Sequence, residues 1–314
     1  YYAVLGLLVV TLVMGEVSNG LKGWLKSSIL GRSIQPCEFA KLSILLLLAR
    51  QLSRSEKPMG KFKEFMRVML LVGLPSLVVL AQGETGSVIV IVFMFMVMMY
   101  FAGVDLRILL GIAAVGAIGI GMIVAYGLMA ENTDYRILRL LAFLDPEKYS
   151  SSGGYQIIKS QTAIGAGQLT GVGTFVESSW TTLQFVPESS TDSIFSVVGE
   201  SFGFVGCVAV LLVYLFIVLR MLYLARFTND KFGQLVIVGV MAMLFFHVFQ
   251  NVAMSIGYMP ITGIPLPFLS YGGSNFITNI AGVALVLNVT KGRSAASTVA
   301  IPLPKIQKHR RRET

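Results

Sequence analysis

Eight apolar stretches, separated mostly by short polar segments, constrain the fold of this chain more than any other feature. Most are long enough to cross a bilayer as a helix. They cover residues 1–15, 36–49, 65–81, 86–103, 108–130, 194–223, 233–256 and 273–290. Charged residues make up only 13% of the 314 residues, about half the share that is usual in soluble domains. The sequence therefore predicts an all-α polytopic membrane protein with about eight transmembrane helices.

The positions of the 25 lysine and arginine residues predict how these helices are oriented. When the basic tail, residues 293–314, is placed in the cytoplasm, threading eight crossings backwards leaves most basic residues on the cytoplasmic side and most acidic residues outside. The net charge of +9 then reflects membrane topology, and no motif indicates nucleic-acid binding. Residues 131–193, the one long connection, fall on the outer face, where a segment of this length is usually functional.

Glycines and cysteines within these stretches are interpreted as packing residues. Gly203 and Gly206 interrupt the sixth stretch, and membrane helices tolerate glycine where neighbouring helices approach closely. Glycines between residues 165 and 173 are only weakly similar to a phosphate-binding loop, since no strand precedes them. Cys37 and Cys207 are far apart in sequence and indicate neither a disulfide framework nor a metal site.

Two carboxylates, Glu188 and Asp192, stand four residues apart just before the apolar run that begins at Ile194. Asp192 is well placed to act as a general base at the membrane surface. Alternatively, Thr191 or Asp192 caps the free amides of the following helix, which is worth ~1 kcal/mol. The residues alone leave these two interpretations balanced.

Three further polar features carry predictions. Glu38 and Lys41 are three residues apart, so they share a helix face and are expected to form a salt bridge. Glu84 is at the tip of the turn 81–87, where a solvated loop and a functional role are equally consistent with the sequence. His247, with Asn251 four residues later on the same face, is expected to form a hydrogen bond between helices.

The segment 257–275 contains three prolines and several glycines and cannot form a continuous helix. Irregular backbone at membrane depth has to be shielded by protein or line a wet cavity. We expect this segment to line the same outward-facing cavity as Asp192, with Ser270 or Ser274 pointing into it.

Six blocks of sequence resemble one known family, and they span nearly the whole chain. In order, they are NGLKGW, IQPCEFAK, QGETG, FLDPEKYSSSGGYQIIKSQTAIGAG, FVPESSTDSIFSVVGE and GIPLPFLSYGGS. In these blocks the chain resembles the SEDS family of shape, elongation, division and sporulation proteins, and is closer to its RodA branch. The chain departs from the family pattern at Cys37, Glu84, Ser190 and Ser201.

The resemblance implies a ten-helix peptidoglycan glycosyltransferase in the bacterial cytoplasmic membrane. It implies that residues 1–314 form a single integral membrane domain lacking the family's first two helices. Lipid II and nascent glycan are the implied substrates, and a class B penicillin-binding protein is the implied partner.

The family's essential acid falls on Asp192, which the resemblance implies is the catalytic base. Glu188 is a like-charged neighbour that would raise its pKa. The leaving diphosphate calls for a cation, and Lys41 and Arg139 are predicted before Lys159, with a divalent cation such as Mg²⁺ or Mn²⁺ as a supplement. The predicted substrate-binding set is completed by Glu38, Ser270 and Ser274.

Two other functions stay open at this point. A lipid flippase would need charged groups deep within the apolar runs, where His247 is the main candidate. A non-catalytic scaffold of the cell-wall synthesis complex would tolerate Asp192→Asn.

Overall fold

The computed structural model describes residues 1–18, 21–27, 32–55, 60, 62–129, 135–150, 153–174 and 176–299, and this part of the chain is almost entirely helical. The elements in chain order are α1 (Tyr2–Met14), β1 (Glu16–Ser18), β2 (Leu21–Ser27), β3 (Arg32–Ile34), α2 (Pro36–Ser53), α3 (Phe62–Ala81), α4 (Thr85–Ala102), α5 (Leu106–Met129), α6 (Tyr135–Leu144), α7 (Gly153–Ala166), α8 (Ile194–Arg226), α9 (Lys231–Ser255) and α10 (Gly273–Val299). The predicted helical class is confirmed, apart from one small sheet.

Each of the eight predicted apolar stretches contains one helix, namely α1 to α5 and α8 to α10. Within the described residues, five helices are long and apolar enough to cross a membrane: α3, α4, α8, α9 and the first part of α10. Helix α2 carries Glu38, Lys41 and Arg50 among its 18 residues, and α1 is shorter. Several apolar helices of this length indicate a multi-pass membrane protein.

Helix α9 forms the centre of the bundle. It packs against α2, α4, α7, α8 and α10, and side chains on all its faces are buried. A helix that is apolar all round has to be enclosed by others. Helix α5, by contrast, packs mainly against α4 and α6 and leaves large apolar side chains such as Val115 and Met122 exposed.

The small antiparallel sheet was not predicted. Its strand order is β1-β2-β3, with Glu16 opposite Trp24 and Leu25 opposite Ile34. The amide of Lys22 donates a hydrogen bond of 2.9 Å to the carbonyl of Gln82, so the sheet covers the turn between α3 and α4. Strands this short depend on such partners, because an isolated hairpin is marginally stable.

The long connection 131–193 contains α6, α7 and a series of turns, and α7 packs against α8. The sequence predicts one apolar run over residues 194–223, but helix α8 is interrupted within it, because Gly203 adopts φ +63°. At this break the amides of Phe204 and Val205 donate to the carbonyls of Gln168 and Leu169, at 2.8 and 3.1 Å. A side chain at Gly203 would collide with this backbone, so the glycine permits a close approach of two chain segments.

Candidate active site

A cavity of about 300 Å³ lies where six separate parts of the chain meet. Its walls are formed by strand β2, the start of α2, the α3–α4 turn, α6, the turns before α8, and the segment after α9. The lining residues are Trp24, Gln35, Gly83, Glu84, Thr85, Gly86, Ser87, Arg139, Glu188, Thr191, Asp192, Thr262, Gly263, Pro265, Tyr271, Gly272, Ser274 and Asn275. Three carboxylates and one guanidinium therefore border the same space.

Asp192 lies on the wall of this cavity, two residues before α8. Burial, and secondly the charge of Glu188, raises the pKa of the Asp192 carboxyl from 3.8 to about 6, while Arg139 opposes this shift. Ser193 is the N-cap residue of α8 and no side chain caps the helix. The hydroxyl of Thr191 instead donates to Glu188 Oε2 at 2.9 Å. The capping interpretation of Thr191 and Asp192 is therefore wrong.

Arg139 reaches the cavity from α6. Its Nη1 is 4.0 Å, and the Asp192 Oδ2 is 3.4 Å, from the point where Gly263 would carry a Cβ atom. Gly263 adopts φ +69°, a conformation that side chains rarely permit. Because Gly263 has no side chain, the position next to the Asp192 carboxylate and the Arg139 guanidinium stays open.

Glu84 is buried, so the interpretation of its turn as a solvated loop is wrong. Its Oε1 accepts a hydrogen bond from Gln35 Nε2 at 2.6 Å, and its Oε2 accepts from Cys37 Sγ at 2.8 Å. Burial raises the pKa of the Glu84 carboxyl, and the hydrogen bonds from Cys37 and Gln35 oppose the shift. A side chain at Gly23, in β2, would collide with this carboxylate. The unpredicted sheet therefore covers the second acid of the cavity.

The segment that follows α9 lines the same cavity as Asp192, as the sequence predicted. Pro265 and Ser274 border the cavity, and the Ser274 hydroxyl accepts a hydrogen bond of 3.0 Å from the amide of Gln35. Ser270 is not among the lining residues. Its hydroxyl accepts from the amide of Leu266 at 2.7 Å and donates to the carbonyl of Thr191 at 2.6 Å.

Lys41 and Glu38 are placed elsewhere. Lys41 Nζ is 2.7 Å from Glu38 Oε1 and 3.1 Å from His247 Nε2, and all three residues are buried. The predicted salt bridge and the predicted interhelical hydrogen bond of His247 are both confirmed. Because α9 closes over this face of α2, neither Lys41 nor Glu38 borders the cavity.

Lys159 also lies away from the cavity lining. Its ammonium group is 4.8 Å from the ring centre of Trp180, 5.5 Å from that of Tyr155 and 5.9 Å from that of Phe185. These distances are typical of cation–π contacts, which pin α7 to the turns that follow it. Arg139 is thus the predicted cation that the fold brings to Asp192.

The sequence also led us to expect a divalent cation, such as Mg²⁺ or Mn²⁺, as a supplement to the basic residues. In the part of the chain that the structure describes, no three His, Cys, Asp or Glu side chains come close enough together to hold a metal ion. Among the described residues, the cavity carboxylates therefore do not form a ready-made site for a divalent metal ion.

Comparison with known proteins gives consistent results. A family model described as "Cell cycle protein" (FTSW_RODA_SPOVE) matches residues 1–295. The chain is 35% identical over 291 residues to the peptidoglycan glycosyltransferase MrdB of Escherichia coli (strain K12), covering 93% of this chain and 76% of that protein. It is 33% identical over 289 residues to the stage V sporulation protein E of Bacillus subtilis (strain 168), covering 91% and 76%.

Solved structures with the same fold include two relevant chains. One comes from a study of how a peptidoglycan synthase complex coordinates polymerization and crosslinking; its TM-score is 0.75 at 31% identity, covering 93% of this chain and 80% of that one. The other is the rod shape determining protein RodA of Thermus thermophilus, with a TM-score of 0.66 at 29% identity, covering 93% and 77%.

Proposed function

The chain belongs to the family of FtsW, RodA and SpoVE cell cycle proteins, and from this premise we propose that it is a peptidoglycan glycosyltransferase that polymerises lipid II. Several relatives that share about a third of its residues are named as such transferases. The observation that carries the proposal is the pair formed by Asp192 and Arg139 at one wall of the cavity. An acid with a raised pKa beside a fixed cation fits the transfer of a sugar from a diphosphate carrier.

The reaction requires one base. The oxygen of an acceptor sugar hydroxyl forms a bond to the anomeric carbon of the donor, while the bond from that carbon to the diphosphate oxygen breaks and its electron pair leaves with the diphosphate. The hydroxyl proton passes to Asp192. A carboxylate with a pKa of about 6 is ionised at neutral pH and yet more basic than an ordinary aspartate.

The reaction also requires stabilisation of the departing charge. Arg139 offers hydrogen-bond donors in a planar array that matches diphosphate oxygens. Its Nη1 and the Asp192 Oδ2 lie within 4.0 Å of the same point, the Cβ position of Gly263, so both groups border one wall of the cavity. The segment with Pro265 supplies a rigid wall, because proline restricts the backbone, and the Tyr214 hydroxyl of α8 donates to the carbonyl of Pro267.

We propose further that the cavity opens on the outer face of the bacterial cytoplasmic membrane. Residues 131–193 would lie on this side, and the tail 293–314, of which residues 300–314 are outside the described part of the chain, would be cytoplasmic. The distribution of basic residues supports this orientation. A class B penicillin-binding protein is the proposed partner, since a similar chain occurs in a complex that couples polymerization to crosslinking.

The test uses purified protein, alone and with a class B penicillin-binding protein, incubated with lipid II and analysed on a gel that resolves glycan strands. Asp192→Asn is expected to lower strand synthesis by at least about 100-fold. Arg139→Gln is expected to raise the lipid II concentration needed for half-maximal rate, while Lys159→Gln serves as the matched control outside the cavity.

Strand synthesis at the normal rate by Asp192→Asn would exclude the carboxylate as base. Transport of lipid II between leaflets without any strands would indicate a flippase instead. If the wild type makes no strands alone or with the penicillin-binding protein, but increases strand synthesis by a separate polymerase that is added, the chain is a scaffold.

A further inference from the structure

Three consecutive backbone carbonyls, those of residues 190, 191 and 192, each accept a hydrogen bond from α9 or from the segment after it. These residues form the turn that presents the proposed base. The donors are the amide of Tyr271 to Ser190 at 2.9 Å, the hydroxyl of Ser270 to Thr191 at 2.6 Å and the side-chain amide of Asn251 to Asp192 at 2.8 Å. Every residue of the turn is therefore hydrogen-bonded to α9 or to the segment after it.

Asn251 connects the two walls directly. Its Nδ2 donates one hydrogen to the carbonyl of Asp192 and the other to the carbonyl of Ile264, both at 2.8 Å. Ile264 is flanked by Gly263 and Pro265, which line the cavity. Asn251 is 0% exposed on the central helix. Because the amide group is planar, its two N–H bonds point in fixed directions. The Asn251 side chain therefore sets the distance between the backbone of Asp192 and that of Ile264.

Ser270 makes a second connection of the same kind. Its hydroxyl accepts a hydrogen bond from the amide of Leu266 and donates to the carbonyl of Thr191. No side chain caps the first turn of α8, so a helix cap does not hold this turn in addition to the bonds from Asn251 and Ser270. The local bonds within the turn, from the amides of Thr191 and Ser193, both end on the carbonyl of Glu188. The turn is therefore closed on itself locally and oriented by the contacts from α9 and the segment after it.

We propose that Asn251 and Ser270 are positioning residues that hold the Asp192 carboxylate at its working distance from the wall formed by residues 262–265. This inference rests on the proposed role of Asp192 as the base. A base acts only within hydrogen-bond reach of the proton it removes. A displacement of about 1 Å in such a group lowers a rate by on the order of 100-fold.

The test compares Asn251→Leu and Ser270→Ala with Ser76→Ala. Leucine has the same number and branching of side-chain heavy atoms as asparagine but donates no hydrogen bond. Ser76 is a matched control, because its buried hydroxyl in α3 also donates to a backbone carbonyl, that of Val72, at 2.7 Å. We expect kcat for strand synthesis to fall by on the order of 10- to 100-fold in Asn251→Leu and less in Ser270→Ala. KM for lipid II is expected to change little, and Ser76→Ala should match the wild type.

The pH profile separates positioning from a general loss of structure. The groups facing Asp192 are Glu188, Arg139 and Glu84. If the turn rotates, the distances of the Asp192 carboxylate from these charges and from water change, and its pKa changes with them. The acid limb of the plot of kcat against pH then shifts to a different pH in both variants. A lower kcat with an unmoved acid limb in Asn251→Leu and Ser270→Ala would overturn the proposal.

Hydrogen exchange followed by mass spectrometry gives a readout that does not depend on catalysis. Peptides covering residues 188–196 and 268–274 are expected to exchange faster in Asn251→Leu and Ser270→Ala, and at the wild-type rate in Ser76→Ala. If the wild type makes no glycan, this experiment still decides whether the turn is held as proposed. Should Asn251→Leu fail to fold, Ser270→Ala, which removes a single hydroxyl, decides alone, and unchanged exchange in it overturns the inference.

Discussion

Removing the charge of Asp192 is expected to stabilise the folded protein while abolishing synthesis. Burial and the like charge of Glu188 raise the pKa of this carboxyl from 3.8 to about 6. One pKa unit corresponds to about 1.4 kcal/mol, so the ionised carboxylate costs at most ~3 kcal/mol of folding free energy. Because Asp192 borders a cavity that admits water, we expect a cost of ~1–2 kcal/mol.

The sign of the effect depends on pH. Below about pH 4 the carboxyl is protonated in both the folded and the unfolded chain, so the wild type and Asp192→Asn are expected to be equally stable. Between about pH 4 and pH 6 the unfolded chain loses its proton first, and the wild type loses stability as the pH rises. Above about pH 6 the difference is constant, and the Asn variant is the more stable protein.

Thermal unfolding in detergent at pH 4 and pH 8 measures this difference. Asp192→Asn is expected to unfold a few degrees higher than the wild type at pH 8 and at the same temperature at pH 4. Glu147→Gln removes a charge from an exposed position and is the matched control. A lower unfolding temperature of Asp192→Asn at pH 8 would mean that the carboxylate makes a structural bond, and the reasoning that makes it a poised base would be refuted.

Two further predictions concern the connection between α7 and α8. The buried Glu200 accepts hydrogen bonds from the amides of Trp180 and Thr181, at 2.6 and 3.0 Å. Glu200→Ala is therefore expected to lower the free energy of unfolding by ~2–4 kcal/mol and to make residues 176–193 sensitive to protease. Unaltered cleavage would contradict this prediction. Gly203→Ala places a Cβ atom 2.6 Å from a backbone carbonyl at a residue with φ +63°. It is expected to lower the free energy of unfolding, measured by thermal unfolding, by more than about 2 kcal/mol. Gly73→Ala meets no atom within 4 Å and should be neutral or stabilising.

Local contacts were the most accessible to sequence reasoning. The salt bridge of Glu38 and Lys41 follows from a spacing of three residues on a helix, and the helical stretches follow from length and apolar composition. The same reasoning assigned Lys41 to the diphosphate, because it lies beside a family motif. What it lacked was the position of α9, which encloses Lys41 together with His247.

Residues at turns were harder to interpret. Glu84 has the sequence surroundings of a solvated turn, and only the contacts of Gln35 and Cys37 bury it. The sheet that covers it comprises strands of three to seven residues, too short for a periodic pattern to indicate. Ser270 or Ser274 was expected to face the cavity; Ser274 does, whereas the Ser270 hydroxyl bonds to the backbone of the turn that carries Asp192.

The sequence by itself determined that the chain is a bundle of membrane helices, where its eight apolar helices lie, and which acid the family motif marks, but not the helices α6 and α7 of the long connection. These properties depend on length, apolar composition and short ordered blocks, all of which are local in the chain. The tertiary structure decided which charges share a cavity with Asp192, because its walls come from residues as distant as Trp24 and Asn275. It also decided how the acid is held, since the bonds from Asn251 and Ser270 form only when α9 and the segment after it pack against the start of α8.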